Sequence, residues 1–334
     1  MHRQNGPGVV VIGDVAVDII VPYPKFLNDT RTLVEYPTPS LVGGGTSANT
    51  AVALARLTVP TGFVGTVGDD QYGRYILNDF KNEGIDTSGL IVDKNLNTVG
   101  VFAFIDDRGE RYLWGWPRVE QAFKIIDPQK VNWQDISNAD FVHSSGMAIV
   151  HDTSARHTII EVFKRAQEAG VPTTFDLNLR VDDGKLDENY KEAVLQIMEY
   201  STHVLGGGDD EFYYLGDNKD WMETAKSFVR PNRTIVVRAG KKGCYGIQAN
   251  GTILQEPAIG TKRVDTVGAG DVFNAGYIAG HLKGLSFANC LRMGNAVSGY
   301  TVAHVGARGC PTLPQLKEFL QENEPDRRLL NALG

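Results

Sequence analysis

The sequence predicts an α/β fold: a mostly parallel sheet with helices on both faces, forming a three-layer αβα sandwich that carries a small β-sheet lid. Three observations predict it. Short β-branched runs alternate with longer amphipathic stretches, glycines stand just past the helical stretches, and two segments that break the alternation read as strands.

Val9–Ile12 opens the series as a buried strand. Further buried parallel strands are predicted at Gly62–Val67, Phe141–Ser144, Thr173–Phe175, His203–Leu205 and Thr234–Val237. Helical spacing of apolar residues covers Ser47–Leu57, Tyr72–Asn82, Ser154–Ala169, Glu188–Tyr200 and Trp221–Phe228, and later Val272–Lys283, Phe287–Ala303 and Leu313–Gln321. Gly84 and Gly170 sit where a left-handed glycine stops a helix, and Pro172 confirms the second stop. The segments 15–42 and 97–118 lack helical period and are rich in Pro, Thr and aromatics. In the second, Thr98–Ile105 and Glu110–Trp116 flank the turn Asp106-Asp107-Arg108-Gly109, a hairpin signal. No repeat, low-complexity tract or linker interrupts the chain. Residues 1–334 are therefore expected to form one domain, with the lid inserted in it at about 15–42 and 97–118.

Composition narrows the function classes. The 334 residues are 42% hydrophobic and 22% charged, and 37 glycines suit many tight turns between strands and helices. The net charge is −7 and the basic residues are scattered, which argues against nucleic acid or an anionic membrane as partner. Cys244, Cys290 and Cys310 are widely spaced, odd in number and outside any CxxC frame, as in a reducing compartment. The apolar run from Val9 to Val21 is broken by Asp14 and Asp18, is too short to span a bilayer and has no cleavage site after it. A cytoplasmic protein is expected.

The most specific motif is Asp265-Thr266-Val267-Gly268-Ala269-Gly270-Asp271, followed at once by Val272-Phe273-Asn274-Ala275-Gly276. A small-residue loop here runs into a helix, whose first N–H groups lack intrahelical partners and sit at the positive end of its dipole. Glycine lets backbone donors approach a charged oxygen closely. Asp271 repels the anion its neighbours attract, so it suits a base acting on the group that attacks a phosphate. For an isolated Gly-x-Gly-Asp, helix capping is the alternative reading.

The string resembles the C-terminal signature of the ribokinase-like (PfkB) carbohydrate kinase family. By that resemblance the backbone N–H groups of Val267, Gly268, Ala269 and Gly270 form an anion hole and Asp271 is the catalytic base. A second cluster, Gly43-Gly44-Gly45-Thr46-Ser47-Ala48-Asn49, opens a helix. Gly43, Gly45 and Ala48 satisfy the dinucleotide pattern G-x-G-x-x-A, but a long segment separates them from the first strand, where that pattern belongs. The cluster is similar instead to the family's N-terminal signature, which implies that Gly44, Gly45 and Asn49 hold sugar hydroxyls. In isolation Asn49 also reads as a solvated residue of a first helical turn.

Period two places Asp14, Ala16 and Asp18 on one face after the first strand. Asp18 matches the family's sugar-binding carboxylate, while Ala16 stands where ribose-preferring members carry Asn. Gly68-Asp69-Asp70-x-x-Gly73 reads as a turn and helix cap. Arg180, in Asp176-Leu177-Asn178-Leu179-Arg180, pairs either with a phosphoryl oxygen or with Asp176.

The resemblance implies ATP and Mg²⁺ as cofactors. The family's N-x-x-E magnesium motif corresponds to Gly208–Glu211, with Glu211 as the acid, or Asp210 in a register shifted by one; the Asn is absent in both. Arg238, Gly240 and Gly243 match the nucleotide-contacting turn, with Arg238 where a small hydroxyl residue is usual. Thr266, Gly268, Gly270 and Asn295 are also implied in nucleotide binding, whereas His304, near the adenine region, reads as an ordinary surface or core residue. Asp265 and Val267 correspond to the loop that holds a monovalent cation such as K⁺. In the lid, Arg108, Arg111, Trp114, Trp116 and Arg118 either pack the lid itself or meet a bulky or anionic acceptor.

The expected activity is transfer of the γ-phosphoryl of ATP to a hydroxyl of a sugar or sugar derivative. A nucleoside kinase and a non-catalytic sugar- or nucleotide-binding regulator are the alternatives, and a homodimer through the lid is the expected assembly.

Overall fold

The structure, a computed structural model, describes residues 8–22, 38–105, 111–117, 119–260 and 262–334. The expected hairpin turn at 106–109, Arg108 and Arg118 lie outside the described residues, as does the side chain of Arg111.

Two sheets organise the chain. The large one has nine strands in the order β13-β12-β11-β10-β9-β8-β1-β4-β5. Its central members are β1 (Val9–Ile12), β4 (Thr61–Gly68), β8 (Phe141–Ser145), β9 (Thr173–Asp176), β10 (His203–Gly207) and β11 (Thr234–Arg238), all mutually parallel. One edge adds β5 (Leu90–Asp93), also parallel. The other adds an antiparallel pair, β12 (Cys244–Ile247) and β13 (Ile253–Glu256), which the sequence pattern did not reveal. The small sheet runs β3-β2-β6-β7 and consists of β2 (Ala16–Pro22), β3 (Ser40–Gly44), β6 (Gly100–Ile105) and β7 (Arg111–Trp116).

The helices are α1 (Thr46–Arg56), α2 (Gln71–Asn82), α3 (Trp133–Asn138), α4 (Ser154–Glu168), α5 (Glu188–Glu199), α6 (Tyr213–Leu215), α7 (Trp221–Ser227), α8 (Ala269–Leu282), α9 (Phe287–Thr301), α10 (Leu313–Asn323) and α11 (Arg328–Ala332). The expected stops hold: Gly84 and Gly170 follow α2 and α4 at φ 75° and 69°. Asp70 caps α2, accepting from the N–H groups of Tyr72 and Gly73.

The alternation of side chains explains the layers. In β1, Val10 and Ile12 enter a core with α4 and α5, while Val9 and Val11 enter a second core with α1, α8 and α9. A strand buried on both faces reads as an unbroken apolar run, and burying each such side chain contributes roughly 1.5–3 kcal/mol. The C-terminal ends of β1, β9, β10 and β11 then lie together beside the starts of α1 and α8. Among the described residues no helix is long and apolar enough to cross a membrane.

Candidate active site

The start of α8 is built from its loop. Gly268 is its N-cap in the left-handed region at φ 74°, and a Cβ there would lie 2.1 Å from that of Ala307. Asp265 braces the loop: its Oδ1 accepts the Val267 N–H at 3.0 Å and its Oδ2 accepts the Gly306 N–H at 2.6 Å. The Ala269 N–H donates to the Thr266 carbonyl at 3.2 Å. The N–H groups of Val267 and Ala269 are thus committed within the loop. Among the described residues the N–H groups of Gly268 and Gly270 have no acceptor, and they stand at the positive end of the fourteen-residue α8. The Val267 side chain is exposed.

Asp271 follows in the first turn and is only 5% exposed. Its Oδ2 accepts from Asn49 Nδ2 at 2.8 Å, and its backbone carbonyl accepts from Thr50 Oγ1 at 3.0 Å. These contacts tie α8 to α1 and join residues 222 positions apart. The other face of the Asn49 amide, its Oδ1, is buried and has no hydrogen-bond partner among the described residues. An orphaned acceptor beside a carboxylate suits a ligand hydroxyl.

The small sheet joins the start of α1 through β3, which ends at Gly44. Gly44 pairs with Ala16, and a Cβ on Gly44 would lie 2.8 Å from the Asp18 carboxyl carbon. Gly44 therefore leaves the room that Asp18 occupies. Register sets which lid residues share its face. Asp18 is level with Val42 and Val101, whereas Ile19 is level with Leu41 and Phe102, and Phe102 with Trp114. Trp114 and Trp116 therefore lie on the face opposite Asp18, where Phe102 packs between them and Tyr72 meets the Trp116 ring edge-on.

Asp14 does not share a strand face with Asp18, because the chain leaves strand geometry between β1 and β2. Its carboxylate instead sits on the start of α1. It accepts from the Thr46 and Ser47 N–H groups at 2.6 and 3.1 Å, and from their hydroxyls at 2.9 and 2.8 Å.

Beneath α8 lies a polar cluster that the sequence did not reveal as a unit. Asp176, at the end of β9, takes Arg238 Nη2 at 2.6 Å on one oxygen and Asn274 Nδ2 at 2.8 Å on the other. Arg180, weighed above as a partner for Asp176, is exposed and bonds to the carbonyls of Asn178 and Leu179. Glu211 sits in a π-helical turn, Gly208–Phe212, and is buried. Its Oε1 accepts the Leu179 N–H at 3.0 Å; its Oε2 accepts the Gly207 N–H and, at 3.0 Å, Arg238 Nη2. With both oxygens so engaged, Glu211 does not fit a direct magnesium ligand. Asp210 is exposed, and the described residues hold no group of three His, Cys, Asp or Glu suited to a metal.

Burial pushes the Asp271 carboxyl up to about 7, opposed by the Asn49 hydrogen bond and reinforced by Asp176 and Asp14. Burial likewise raises Glu211 to about 7, against the pull of Arg238 and with a push from Asp176. Burial disfavours the Arg238 charge, yet Asp176 and Glu211 outweigh it and raise its pKa.

The remaining candidates fall further out. Gly240 and Gly243 adopt positive φ in the turn after β11, and a Cβ on Gly243 would lie 2.0 Å from the Glu256 carbonyl oxygen. Asn295 is buried, its Nδ2 donating to the carbonyls of Glu256 and Pro257. His304 is exposed and stacks on Tyr300.

Comparison with known proteins shows the family and the fold. Residues 7–314 match the pfkB family carbohydrate kinase pattern. The chain is 31% identical over 280 residues to an ATP-dependent ribose-1-phosphate kinase of Halopiger xanaduensis, covering 84% of this chain and 87% of that one. It is 26% identical over 327 residues to the 5-dehydro-2-deoxygluconokinase of Bacillus subtilis, covering 96% and 98%. A fructokinase from Xylella fastidiosa, solved with bound ATP, superposes with a TM-score of 0.80 at 21% identity, over 95% of this chain and 99% of that one. A putative ribokinase II from E. coli, solved with ATP and Mg²⁺, gives 0.79 at 20% identity, over 94% and 99%. The chain belongs to the pfkB family of carbohydrate kinases and is a phosphotransferase acting on sugars or their derivatives.

Proposed function

From that membership we propose that this chain transfers the γ-phosphoryl group of ATP to an acceptor hydroxyl held between Asp18, Gly44, Gly45, Asn49 and Asp271. The observation that carries the reading is the Asn49–Asp271 hydrogen bond, which brings the two glycine-rich motifs together around one buried carboxylate.

Asp271 accepts the hydroxyl proton as the oxygen attacks. Its elevated pKa, near 7, matches the demand on a base that works near neutral pH. Asn49 fixes the carboxylate through Nδ2 and offers Oδ1 to an acceptor hydroxyl. The Gly268 and Gly270 N–H groups, with the dipole of α8, face the oxygens of the moving group. One such preorganised donor is worth roughly 2.7–4 kcal/mol in other enzymes. Mg²⁺ arriving with the nucleotide would neutralise phosphate charge, held by phosphates and water rather than by a protein cage. The lid closes the acceptor side and excludes water.

The lid also leaves Tyr112 and Trp114, which share the face away from Asp18, exposed at 55% and 56%. We propose that this face pairs with a second copy of the chain, which light scattering reads as twice the 36.5 kDa chain mass.

The test is ATP consumption against a panel of sugars, sugar acids, sugar phosphates and nucleosides. Relatives named for ribose-1-phosphate and 5-dehydro-2-deoxygluconate put anionic sugars first in that panel. Turnover on a sugar derivative is the expected result. Turnover confined to nucleosides, or none on any acceptor, would overturn the reading.

A further inference from the structure

Arg238 ends β11 and turns inward, where its fork meets four acceptors. Nη2 donates to Asp176 Oδ1 at 2.6 Å and to Glu211 Oε2 at 3.0 Å. Nη1 donates to Asn274 Oδ1 at 2.9 Å and to the Gly270 carbonyl at 3.3 Å. The side chain is 16% exposed, and the two carboxylates it joins are more buried still. A guanidinium so placed serves as a resident cation: planar, always charged and able to bond several acceptors in fixed directions. It also touches the mouth of α8, since a Cβ on Gly270 would lie 3.2 Å from the guanidinium carbon.

Resting on the kinase reading above, we propose that Arg238 is a positioning residue for phosphoryl transfer. Its guanidinium pins Gly270 at the start of α8 and closes the Asp176–Glu211 carboxylate pair to a divalent cation.

Two physical points carry this. First, the carboxylate pair would be uncompensated without the guanidinium, and buried adjacent carboxylates either protonate or draw in another cation. A divalent ion that favours oxygen ligands fills that role when the fork is gone. Second, the Gly270 carbonyl and the Gly270 N–H belong to successive peptide planes of one residue. Holding the carbonyl against Arg238 limits how far the donor can turn. A lysine keeps the charge but offers one compact ammonium, which cannot span Asp176, Glu211, Asn274 and Gly270 together.

The experiment uses the full chain with Arg238→Thr, Arg238→Lys and the double variant Arg238→Thr/Glu211→Gln. Mn²⁺ alone, without nucleotide, is titrated and free Mn²⁺ is followed by electron paramagnetic resonance. Wild type is expected to leave Mn²⁺ free at concentrations where Arg238→Thr binds it at least about tenfold more tightly, and the double variant is expected to lose that gain. Arg238→Lys is expected to keep Mn²⁺ out yet lower kcat about tenfold or more with the KM for ATP little changed, the scale of one lost charge-assisted hydrogen bond. Mn²⁺ uptake by wild type, no gain in Arg238→Thr, or wild-type kcat in Arg238→Lys would overturn the proposal. Should Arg238→Thr fail to fold by circular dichroism, the Arg238→Lys kinetics and the wild-type titration still decide it. The Mn²⁺ titration needs no turnover, so its failure is separable from a failed acceptor screen.

Discussion

Two helices in this molecule start in the same way and meet different fates. Both α1 and α8 follow a glycine at positive φ, Gly45 at 97° and Gly268 at 74°, and neither glycine supplies a side-chain cap. At α1 the Asp14 carboxylate arrives from the end of β1 and takes the Thr46 and Ser47 N–H groups. At α8, among the described residues, no carboxylate accepts from the first-turn N–H groups, and the helix's own Asp271 turns aside to Asn49. A glycine-rich helix start is therefore an anion site only where the fold leaves it unfilled. Here one start already holds its anion, and the other is the one proposed above to receive the phosphoryl oxygens.

The comparison breaks most sharply at Asp271. Asp271→Asn should bind ATP with wild-type affinity by calorimetry yet lose about 10²–10⁴-fold in kcat, the usual contribution of a positioned base. Asn49→Ala removes the bond that orients the carboxylate. A hydrogen bond to a charged group is worth about 1.5–3 kcal/mol, so steady-state kcat/KM should fall roughly 10–100-fold. Asp14→Ala tests the filled end: losing the cap should cost about 0.5–2 kcal/mol of stability, read by denaturant unfolding, and a stability equal to wild type would contradict the capping role. Tyr112→Lys should change stability by no more than about 1 kcal/mol while shifting the light-scattering mass to the monomer.

The sheet was legible because its central strands are buried on both faces and so appear as unbroken apolar runs. The β12–β13 pair was not. Cys244-Tyr245-Gly246-Ile247 is short, contains glycine and sits between β11 and the edge strand β13, so neither alternation nor length marks it. The two helix starts were legible as motifs, but the fate of each depended on contacts between distant segments. Asp14 was misplaced because period two was carried across residues 13–15, which are not strand. The Asp176–Arg238–Asn274 cluster joins residues 62 and 98 positions apart, with no local signal. One clue was available. Alternation in β11 puts Arg238 on the face of Val236, and Val236 packs in the cluster that holds Phe273 and Tyr277 of α8. The same rule, applied across the lid ladder, turns Trp114 and Trp116 away from the Asp18 face.

The central claim is that a buried carboxylate at the open helix start must be ionised to accept a proton. Its folded pKa is raised to about 7 from an ordinary 3.8, so the inactive protonated form accumulates as pH falls through 7, far above the range of an exposed aspartate. The most direct test is the pH dependence of kcat/KM for wild type beside the residual rate of Asp271→Asn. The account predicts a one-proton acid limb near pH 7 in wild type that is absent from the variant. A wild-type profile flat down to pH 5, or the same limb in both proteins, would contradict it.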